Sequence, residues 1–335
     1  MLKFGKNCSE DRHRRRRLRA PSTCSSVMLY ENTNAMPKHA DGTVLHLGVK
    51  HGEVANRVVS VGSLDRARVL AGMLDGGQVA THESSRGFTV FTGEMLGVSV
   101  SIIATGMGAP NMDFVVRETR AIVDGPMAII RFGTCGGIQQ GVPPGSVVVS
   151  SQGSVSIVRN PDAFFADAAA DAEHYRVSRV MPASAPLSMS VRATQQQSRT
   201  LEARRDCKSL LSIMESREAE FQTLAGKKVG VYGGLNATAC SFYSSQGRID
   251  AAFDDRNERV VENLLAGHPE LHSLEMETFH LLDLAQRSRG SIVATAAALV
   301  VANRQTGEVV DAQVLAAGEA FWGRAVLECI AKHEF

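Results

Sequence analysis

An apolar run that ends in an arginine constrains this chain more than any other feature. Residues 127–130 read Met-Ala-Ile-Ile, Arg131 follows them, and glycines stand at positions 133, 136 and 137. A short continuous apolar run predicts a buried parallel strand, and we expect the glycines to turn the backbone sharply. A guanidinium beside a buried strand is costly unless it meets an anion or a carboxylate. The segment therefore predicts either an oxyanion site or an internal ion pair.

Two further segments repeat the pattern of strand, glycine and cation or hydroxyl. The run 57–61 ends at Gly62, and Arg66 lies where a first helical turn would begin. The run 100–104 ends in the sequence Thr-Gly-Met-Gly. Because open sheets bind ligands at the carboxyl ends of their parallel strands, we expect these three ends to form one oxyanion cradle. The loops lack the glycine spacing of dinucleotide sites and the Gly-Lys-Ser/Thr of a P-loop, which disfavours both.

Four segments together resemble the nucleoside phosphorylase I family. They are Gly-Ser-Leu-Asp-Arg at 62–66, Thr-Gly-Met-Gly at 105–108, Arg-Phe-Gly-Thr-Cys-Gly-Gly at 131–137 and Leu-Glu-Met-Glu at 274–277. The resemblance covers about residues 44–330. It implies an α/β fold with a single domain, in which a mostly parallel, partly closed twisted sheet is flanked by helices. Within the family, residues 241–248 resemble the pyrimidine-binding segment of the branch that acts on uridine.

The resemblance also implies roles for individual residues. Phosphate would be held by Gly62, Arg66, Arg131 and Thr134, together with Arg86 from a neighbouring subunit. Ribose would be held by Thr105, Met276 and Glu277, together with His46 reaching a neighbour's 5′-hydroxyl. The base would be held by Phe242, Gln246 and Arg248. The catalytic set would be Arg131, Gln246, Arg248 and Glu277, and no metal is implied.

The chemistry of the base-binding residues favours a pyrimidine. A glutamine amide offers a donor and an acceptor together, which suits the edge of uracil, and an arginine offers only donors. Arg248 would also stabilise the negative charge that grows on the departing base. Purine-cleaving members of the family carry an acidic aspartate near residues 302–304, where this chain has Asn303, which cannot be a general acid.

Simpler structural explanations exist for several of these residues. An isolated Arg66 or Arg86 is more often a solvated surface charge, and a single histidine such as His46 is more often structural. Glu275 and Glu277 also suit the start of the helix predicted over 279–285, where the helix dipole favours carboxylates. Cys135 is more often a small packed thiol than a nucleophile.

The expected activity is the phosphate-dependent, reversible cleavage of uridine to uracil and ribose 1-phosphate, by a pentosyltransferase of pyrimidine salvage. Two alternatives stay open: a purine or thioadenosine phosphorylase or hydrolytic nucleosidase of the same family, and a non-catalytic nucleoside-binding module. Because His46 and Arg86 resemble donated residues, we expect a homo-oligomer that is at least a two-fold dimer. Phosphate is expected as a co-substrate and no cofactor is expected, although a structural cation at a subunit interface stays open.

Charge divides the chain unevenly. Residues 1–40 hold nine Lys or Arg against three acidic residues, whereas the remainder holds 27 against 32. We expect a disordered basic tail over 1–40 and one domain over 41–335. The arginine run at 12–19 lacks interleaved aromatic residues, which disfavours nucleic-acid binding, and its composition leaves a mitochondrial presequence open.

Location follows from the cysteines and the longest apolar stretch. The six cysteines are scattered and form no Cys-x-x-Cys motif, which predicts a reducing compartment, the cytoplasm. The longest apolar stretch, 292–302, is too short to cross a bilayer, so no membrane association is expected.

The stretch 159–228 is longer than the family core requires and predicts an insertion. It separates a strand expected over 146–151 from one expected over 228–232. Apolar residues recur among charges over 198–224, which predicts one or two surface helices. The prolines at 182 and 186 predict a loop, and residues 312–332 predict a final amphipathic helix.

Overall fold

A computed structural model describes residues 34–188 and 209–335. The architecture below is that of the compact unit Met36–Phe335. The arginine run at 12–19 and residues 189–208 of the expected insertion lie outside the described residues. The expected disorder of the tail therefore stays a prediction.

Twelve strands of the described residues belong to one sheet. They are β1 (Arg57–Val61), β2 (Asp75–Glu83), β3 (Thr89–Met95), β4 (Val98–Ala104), β5 (Met127–Gly137), β6 (Val147–Val149), β7 (Ser154–Arg159), β8 (Tyr175–Val177), β9 (Val231–Gly233), β10 (Leu235–Ala239), β11 (Leu271–Glu275) and β12 (Ile292–Asn303). The α-helices described are α1 (Leu64–Ala71), α2 (Ala109–Arg120), α3 (Ala185–Ser188), α4 (Leu210–Glu215), α5 (Glu218–Ala225), α6 (Val260–Gly267), α7 (Thr278–Arg287) and α8 (Ala312–Ala331). Short 3₁₀ turns occupy Pro161–Phe164 and Ser244–Gln246.

Strand β5 is the hub of the sheet. It pairs in parallel with β1 and β12 and antiparallel with β11. From β12 the sheet continues through β6 to β9, and β9 leads after one residue, Gly234, into β10, which pairs with β11. Because β11 returns to β5, the sheet closes on itself there. The expected fold class, a partly closed α/β sheet flanked by helices, is confirmed, although parallel pairings outnumber antiparallel ones only slightly.

Helices cover both faces of β5, which explains why its sequence is continuously apolar. Ile130 packs in the same cluster as Trp322 of α8, whereas Ile129 packs in the same cluster as Met112 of α2. Successive side chains of a strand point to opposite faces, so Arg131 shares the face of Ile129. That face leads towards the amino-terminal ends of α2 and α7.

The sharp turn expected at the glycines after Arg131 is wrong. Strand β5 continues through Gly137, with β12 along one side and β11 against its last residues. The glycines instead allow β12 and the residue that follows it to pack closely against β5. A Cβ at Gly136 would lie 3.3 Å from Cγ of Arg304, and one at Gly137 would lie 3.0 Å from Cγ1 of Val300. A side chain at either position would displace β12 or the segment that follows it.

Most other local predictions are confirmed. The final helix occupies Ala312–Ala331, and the described part of 198–224 forms the two helices α4 and α5. The strands expected over 146–151 and 228–232 are present as β6 and β9. The loop expected around the two prolines is wrong at the second, because Pro186 lies in the short helix α3.

Candidate active site

The candidate site lies where the carboxyl ends of two strands face each other along β5. Strand β1 pairs with the first half of β5, up to Phe132, and runs parallel to it. Strand β11 pairs with Gly136 and Gly137 and runs the opposite way. The two strand ends therefore meet opposite residues 133–135, in the middle of β5. This arrangement brings together three segments that are far apart in the sequence.

A cavity of about 380 Å³ occupies this position. Nine predicted site residues line it: Gly62, Arg66, Arg131, Thr134, Phe242, Gln246, Arg248, Met276 and Glu277. Other lining residues include Ser63, Met107, Cys135, Glu275 and Arg304. Most of the predicted set thus shares one cavity, and the role of each member stays a prediction.

Two arginines converge at Gly62, which follows β1. A Cβ at Gly62 would lie 3.4 Å from an Nη atom of Arg131 and 3.9 Å from an Nη atom of Arg66. Glycine leaves this space open to a small ligand. Ser63 caps α1 by accepting a hydrogen bond from the backbone N–H of Arg66 at 3.2 Å, which places Arg66 in the first turn. Two guanidinium groups around an open glycine suit an oxyanion.

Each of these arginines also has a carboxylate partner in the chain. Arg131 donates to Glu277 at 2.9 Å, and both side chains are almost completely buried. Arg66 donates through Nε to Glu319 of α8 at 3.0 Å. The internal ion pair that the sequence left open is therefore present. Nε of Arg131 is buried without a hydrogen-bond partner among the described residues, so this guanidinium keeps unused donor capacity.

The two glutamates at the start of α7 have different surroundings. Glu277 accepts a hydrogen bond from the backbone N–H of Gly108 at 2.6 Å. Glu275 accepts from Thr238 Oγ1 at 2.6 Å and from the backbone N–H of Glu277 at 2.8 Å, so it caps the helix. Burial, and then the charge of Glu277, raise the pKa of Glu275 above its ordinary value. Glu275 holds the segment that carries Glu277, as expected of a helix-start carboxylate.

Cys135 is a packed thiol. Its side chain is buried, and Sγ lies 3.8 Å from the carbonyl oxygen of Ala298. Burial raises the pKa of the Cys135 thiol far above its ordinary value. A nucleophilic cysteine requires the thiolate, so the burial of Cys135 agrees with its structural explanation.

The opposite end of the cavity is built from a loop. Arg248 stacks on Phe242, with the guanidinium carbon 4.0 Å from the ring centroid, and its Nε donates to the Phe242 carbonyl at 3.1 Å. Gln246 is buried in a 3₁₀ turn. Asn257 holds the loop from behind, because its amide donates to the carbonyls of Ser244 at 3.0 Å and Arg248 at 2.9 Å.

Three predicted residues do not line this cavity. Thr105 is buried, and its hydroxyl lies 2.6 Å from that of Ser60. Arg86 is exposed in the turn between β2 and β3. His46 is bound to Glu118 and stacks on Phe114. Arg86 and His46 were expected to serve a neighbouring subunit, so their absence from this cavity agrees with that expectation without testing it.

Arg304 is a cavity residue that the sequence reasoning missed. It lies immediately after β12 and donates to the carbonyl of Gln246 at 2.9 Å, which ties β12 to the loop that carries Gln246. One of its Nη atoms is buried without a partner among the described residues. The pattern of strand end and cation, used for Arg66 and Arg131, would have found it.

Asn303 has a structural role. Its amide donates to the carbonyls of Gln139 at 2.8 Å and Val142 at 2.9 Å, and its Oδ1 accepts from the backbone N–H of Gln305 at 2.8 Å. Both polar atoms of the side chain are therefore used in hydrogen bonds, and those of the amide nitrogen join the end of β12 to the segment after β5. Asn303 is not among the described residues that line the cavity, whereas its neighbours Ala302 and Arg304 are.

The charge of the cavity favours an anion. Arg66, Arg131, Arg248 and Arg304 line it, against the two carboxylates Glu275 and Glu277. Burial, and then the charge of Arg248, lower the pKa of Arg304. Excess positive charge in a partly buried site attracts an anionic ligand strongly.

Residues 56–329 match the family described as Phosphorylase superfamily. The chain belongs to this family. A solved structure from a study of two uridine phosphorylases of the oomycete Phytophthora capsici is 57% identical, with a TM-score of 0.82, over 91% of this chain and all of that one. A nucleoside phosphorylase of Trypanosoma brucei, described as showing uridine phosphorylase activity, shares the fold at 23% identity and a TM-score of 0.64, over 89% of this chain and all of that one.

Curated relatives match over shorter segments. A DeoD-type purine nucleoside phosphorylase of Geobacillus kaustophilus is 36% identical over 110 residues, 33% of this chain and 46% of that one. A uridine phosphorylase of Thermococcus kodakarensis is 30% identical over 115 residues, 34% of this chain and 40% of that one. The chain thus spans less than half the length of these relatives.

Two negative findings concern the described residues alone. Within 34–188 and 209–335, no group of three or more His, Cys, Asp or Glu side chains is arranged to hold a metal ion. No helix in the same residues is long and apolar enough to span a bilayer.

Proposed function

We propose that this chain is a uridine phosphorylase, which cleaves uridine with phosphate to uracil and ribose 1-phosphate. One observation carries the proposal: Arg66 and Arg131 converge at Gly62 in the same cavity that Gln246 and Arg248 line. A pair of arginines suited to an anion and a glutamine–arginine pair suited to the edge of a base therefore share one cavity. The Phytophthora capsici structure, similar along its whole length, supports the same activity.

The proposed mechanism begins with phosphate in the space above Gly62. Arg66 and Arg131 supply positive charge there, and Thr134 supplies a hydroxyl. Glu277 accepts hydrogen bonds from the ribose 2′- and 3′-hydroxyls, because one carboxylate matches a vicinal diol, and Met276 packs on the sugar. Arg131 and Glu277 touch at 2.9 Å. Their ligands are therefore neighbours, which brings phosphate close to the anomeric carbon.

The base leaves towards Gln246 and Arg248. Phe242 stacks on the uracil ring, and Gln246 pairs with its polar edge. As the glycosidic bond breaks, positive charge grows on the ribose and negative charge on uracil. Arg248 stabilises that negative charge without a prior proton transfer.

A purine nucleoside phosphorylase is the second candidate, because purine-specific relatives align with one third of this chain. Against it stands Asn303, which offers no proton and is occupied by backbone groups. A hydrolytic nucleosidase would not need the two arginines at Gly62. A purely binding module would not need a diol-binding carboxylate beside an anion site.

The decisive experiment measures base release from uridine and from inosine, each with and without phosphate. The proposal expects release from uridine only with phosphate, and much slower release from inosine. Equal rates with and without phosphate would indicate a hydrolase. Equal rates for uridine and inosine would contradict the pyrimidine assignment.

We further propose that two subunits share each site in a two-fold dimer, with His46 and Arg86 serving the partner. Arg86→Ala and Arg131→Ala chains, each inactive alone, test this when they are refolded together. A mixed dimer has one intact site, so about a quarter of wild-type activity should return if subunits exchange freely. No recovery despite demonstrated exchange would mean that Arg86 acts within its own chain.

The remaining features of the proposal concern its setting. We propose that the enzyme needs no cofactor beyond its co-substrate phosphate, and that it works in pyrimidine salvage in the cytoplasm. The scattered cysteines support a reducing compartment. We assign the basic tail, expected over residues 1–40, to the region before the catalytic domain, whose compact unit begins at Met36, and we assign residues 159–228 to an insertion.

A further inference from the structure

His46 does not line the cavity and is held by two side chains of α2. Its ring lies parallel to that of Phe114, with centroids 3.8 Å apart, and its Nδ1 lies 2.6 Å from Oε1 of Glu118. Phe114 and Glu118 are four positions apart, on one face of α2. No described residue is hydrogen-bonded to Nε2 of His46, and the side chain is 21% exposed.

Glu118 is a buried carboxylate whose oxygens form hydrogen bonds with two consecutive residues, His46 and Leu47. It is 4% exposed, and it accepts from the backbone N–H of His46 at 3.0 Å and of Leu47 at 2.8 Å. Two backbone donors and one imidazole nitrogen therefore meet one carboxylate. An ionised carboxylate only accepts hydrogen bonds, so Nδ1 of His46 must carry its proton. In the neutral ring, Nε2 is then an acceptor.

We propose that Glu118 is a positioning residue that fixes His46 as the Nδ1–H tautomer and presents Nε2 as an acceptor to the 5′-group of the nucleoside in the partner subunit. This inference rests on the proposed function, which assigns His46 to the partner's ribose. It also predicts a specificity: the site binds 5′-groups that can donate a hydrogen bond to Nε2, and it disfavours 5′-groups that can only accept hydrogen bonds.

Glu118→Gln tests the rule because it preserves the backbone contacts while reversing the tautomer. The glutamine oxygen can still accept from the N–H of Leu47, whereas its NH₂ must face Nδ1. That contact makes Nδ1 the acceptor and moves the ring proton to Nε2. A hydroxyl both donates and accepts, so uridine can rotate its 5′-hydroxyl and stay bound. A 5′-ammonium group only donates, and it would face an N–H.

The experiment compares uridine, 5′-deoxyuridine and 5′-amino-5′-deoxyuridine at pH 8, where imidazoles in general are neutral. In Glu118→Gln, we expect kcat/KM for uridine to stay within about threefold and that for the 5′-amino substrate to fall about tenfold, the scale of one hydrogen bond. The 5′-deoxy substrate should not change. Asp113→Asn, an exposed carboxylate on the same helix that pairs with Arg117, is the matched control and should leave all ratios unchanged.

A direct measurement of the His46 tautomer tests this inference independently of the test of uridine cleavage. In protein labelled with ¹⁵N-histidine, the His46 resonances should report Nδ1–H in the wild type and Nε2–H in Glu118→Gln. His46→Ala identifies those resonances, and Glu118→Gln on that background should not change the substrate ratios further.

Three outcomes would overturn the proposal. They are an Nε2–H tautomer in the wild type, an unchanged 5′-amino ratio in Glu118→Gln, and an equal loss for all three substrates, which would indicate a purely structural Glu118. If the wild type fails to cleave uridine at all, the proposed function fails instead, and the tautomer measurement still decides whether Glu118 controls His46.

Discussion

The anion end and the base end of the cavity are built on different physical principles. At the anion end, Arg66 and Arg131 are 6% and 3% exposed, and each is tied to a carboxylate from a distant element. At the base end, Phe242 is 44% exposed, and Arg248 rests on that ring and on its own loop. The anion end is therefore part of the protein core, whereas the base end is a partly exposed surface loop.

The difference separates stability from recognition. A buried guanidinium that loses its partner leaves an uncompensated charge, which is strongly destabilising. An exposed loop residue can be removed with little effect on the free energy of unfolding. We therefore expect substitutions at the anion end to lower both stability and rate, and substitutions of the solvent-accessible side chains at the base end, Phe242 and Arg248, to lower the rate alone.

The largest effect is expected for Arg131→Ala. Losing one charged contact in the transition state should cost about 2–4 kcal/mol, or roughly 30- to 1000-fold in kcat/KM. The change also leaves Glu277 buried without its cation, so the urea midpoint should fall clearly. Arg86→Ala, at an exposed position, is the control and should lower the rate with an unchanged midpoint. Wild-type stability in Arg131→Ala would break the contrast between the two ends.

Gln246→Ala and Arg248→Ala should come next. Each removes hydrogen bonds to the base, worth about 1–3 kcal/mol when a charged group is involved, or roughly 5- to 150-fold in kcat/KM for uridine. The KM for phosphate should not change in either variant, and the urea midpoint should not change in Arg248→Ala. Gln246 is buried, so Gln246→Ala should lower the urea midpoint slightly. A parallel rise in the KM for phosphate would show that the two ends are coupled.

Phe242→Ala should have a smaller effect. Loss of aromatic stacking is worth about 0.5–1.5 kcal/mol, which corresponds to a rise of about two- to tenfold in the KM for uridine. Tyr243→Ala is the matched control, because Tyr243 is the exposed neighbour whose ring contacts Phe242 edge-on but does not line the cavity. An equal effect of both changes would attribute the loss to the loop rather than to stacking.

The smallest effect is expected for removal of residues 1–35. Met36, the first residue kept, packs against a core cluster of the catalytic unit, and every described residue that lines the cavity follows it. Steady-state rates should stay within about twofold, and the free energy of unfolding within about 0.5 kcal/mol. A large loss in either measurement would show that the basic tail contributes to the fold or to the site.

Local patterns were enough to predict five of the twelve described strands, β1, β4, β5, β6 and β9, and the polar groups that follow the first three. The apolar run 127–130 correctly predicted a buried strand, since helices cover both faces of β5. Arg66 was expected in the first turn of a helix, and it lies in the first turn of α1. The error at Gly136 arose because glycine permits both a turn and a close approach. Only the positions of Arg304 and β11 decide between these two uses, and neither is encoded near Gly136.

The amino-acid sequence by itself determined several strands and the polar residues at their ends, because hydrophobic periodicity and glycine placement specify structure within a few residues. Only the tertiary structure decided which groups meet. Glu277 lies 146 positions from Arg131, and Glu319 lies 253 positions from Arg66. The hydroxyl of Thr105, expected at the ribose, instead meets Ser60 across the β1–β4 pair. Such pairings depend on strand register and helix packing, which are set by contacts between distant segments.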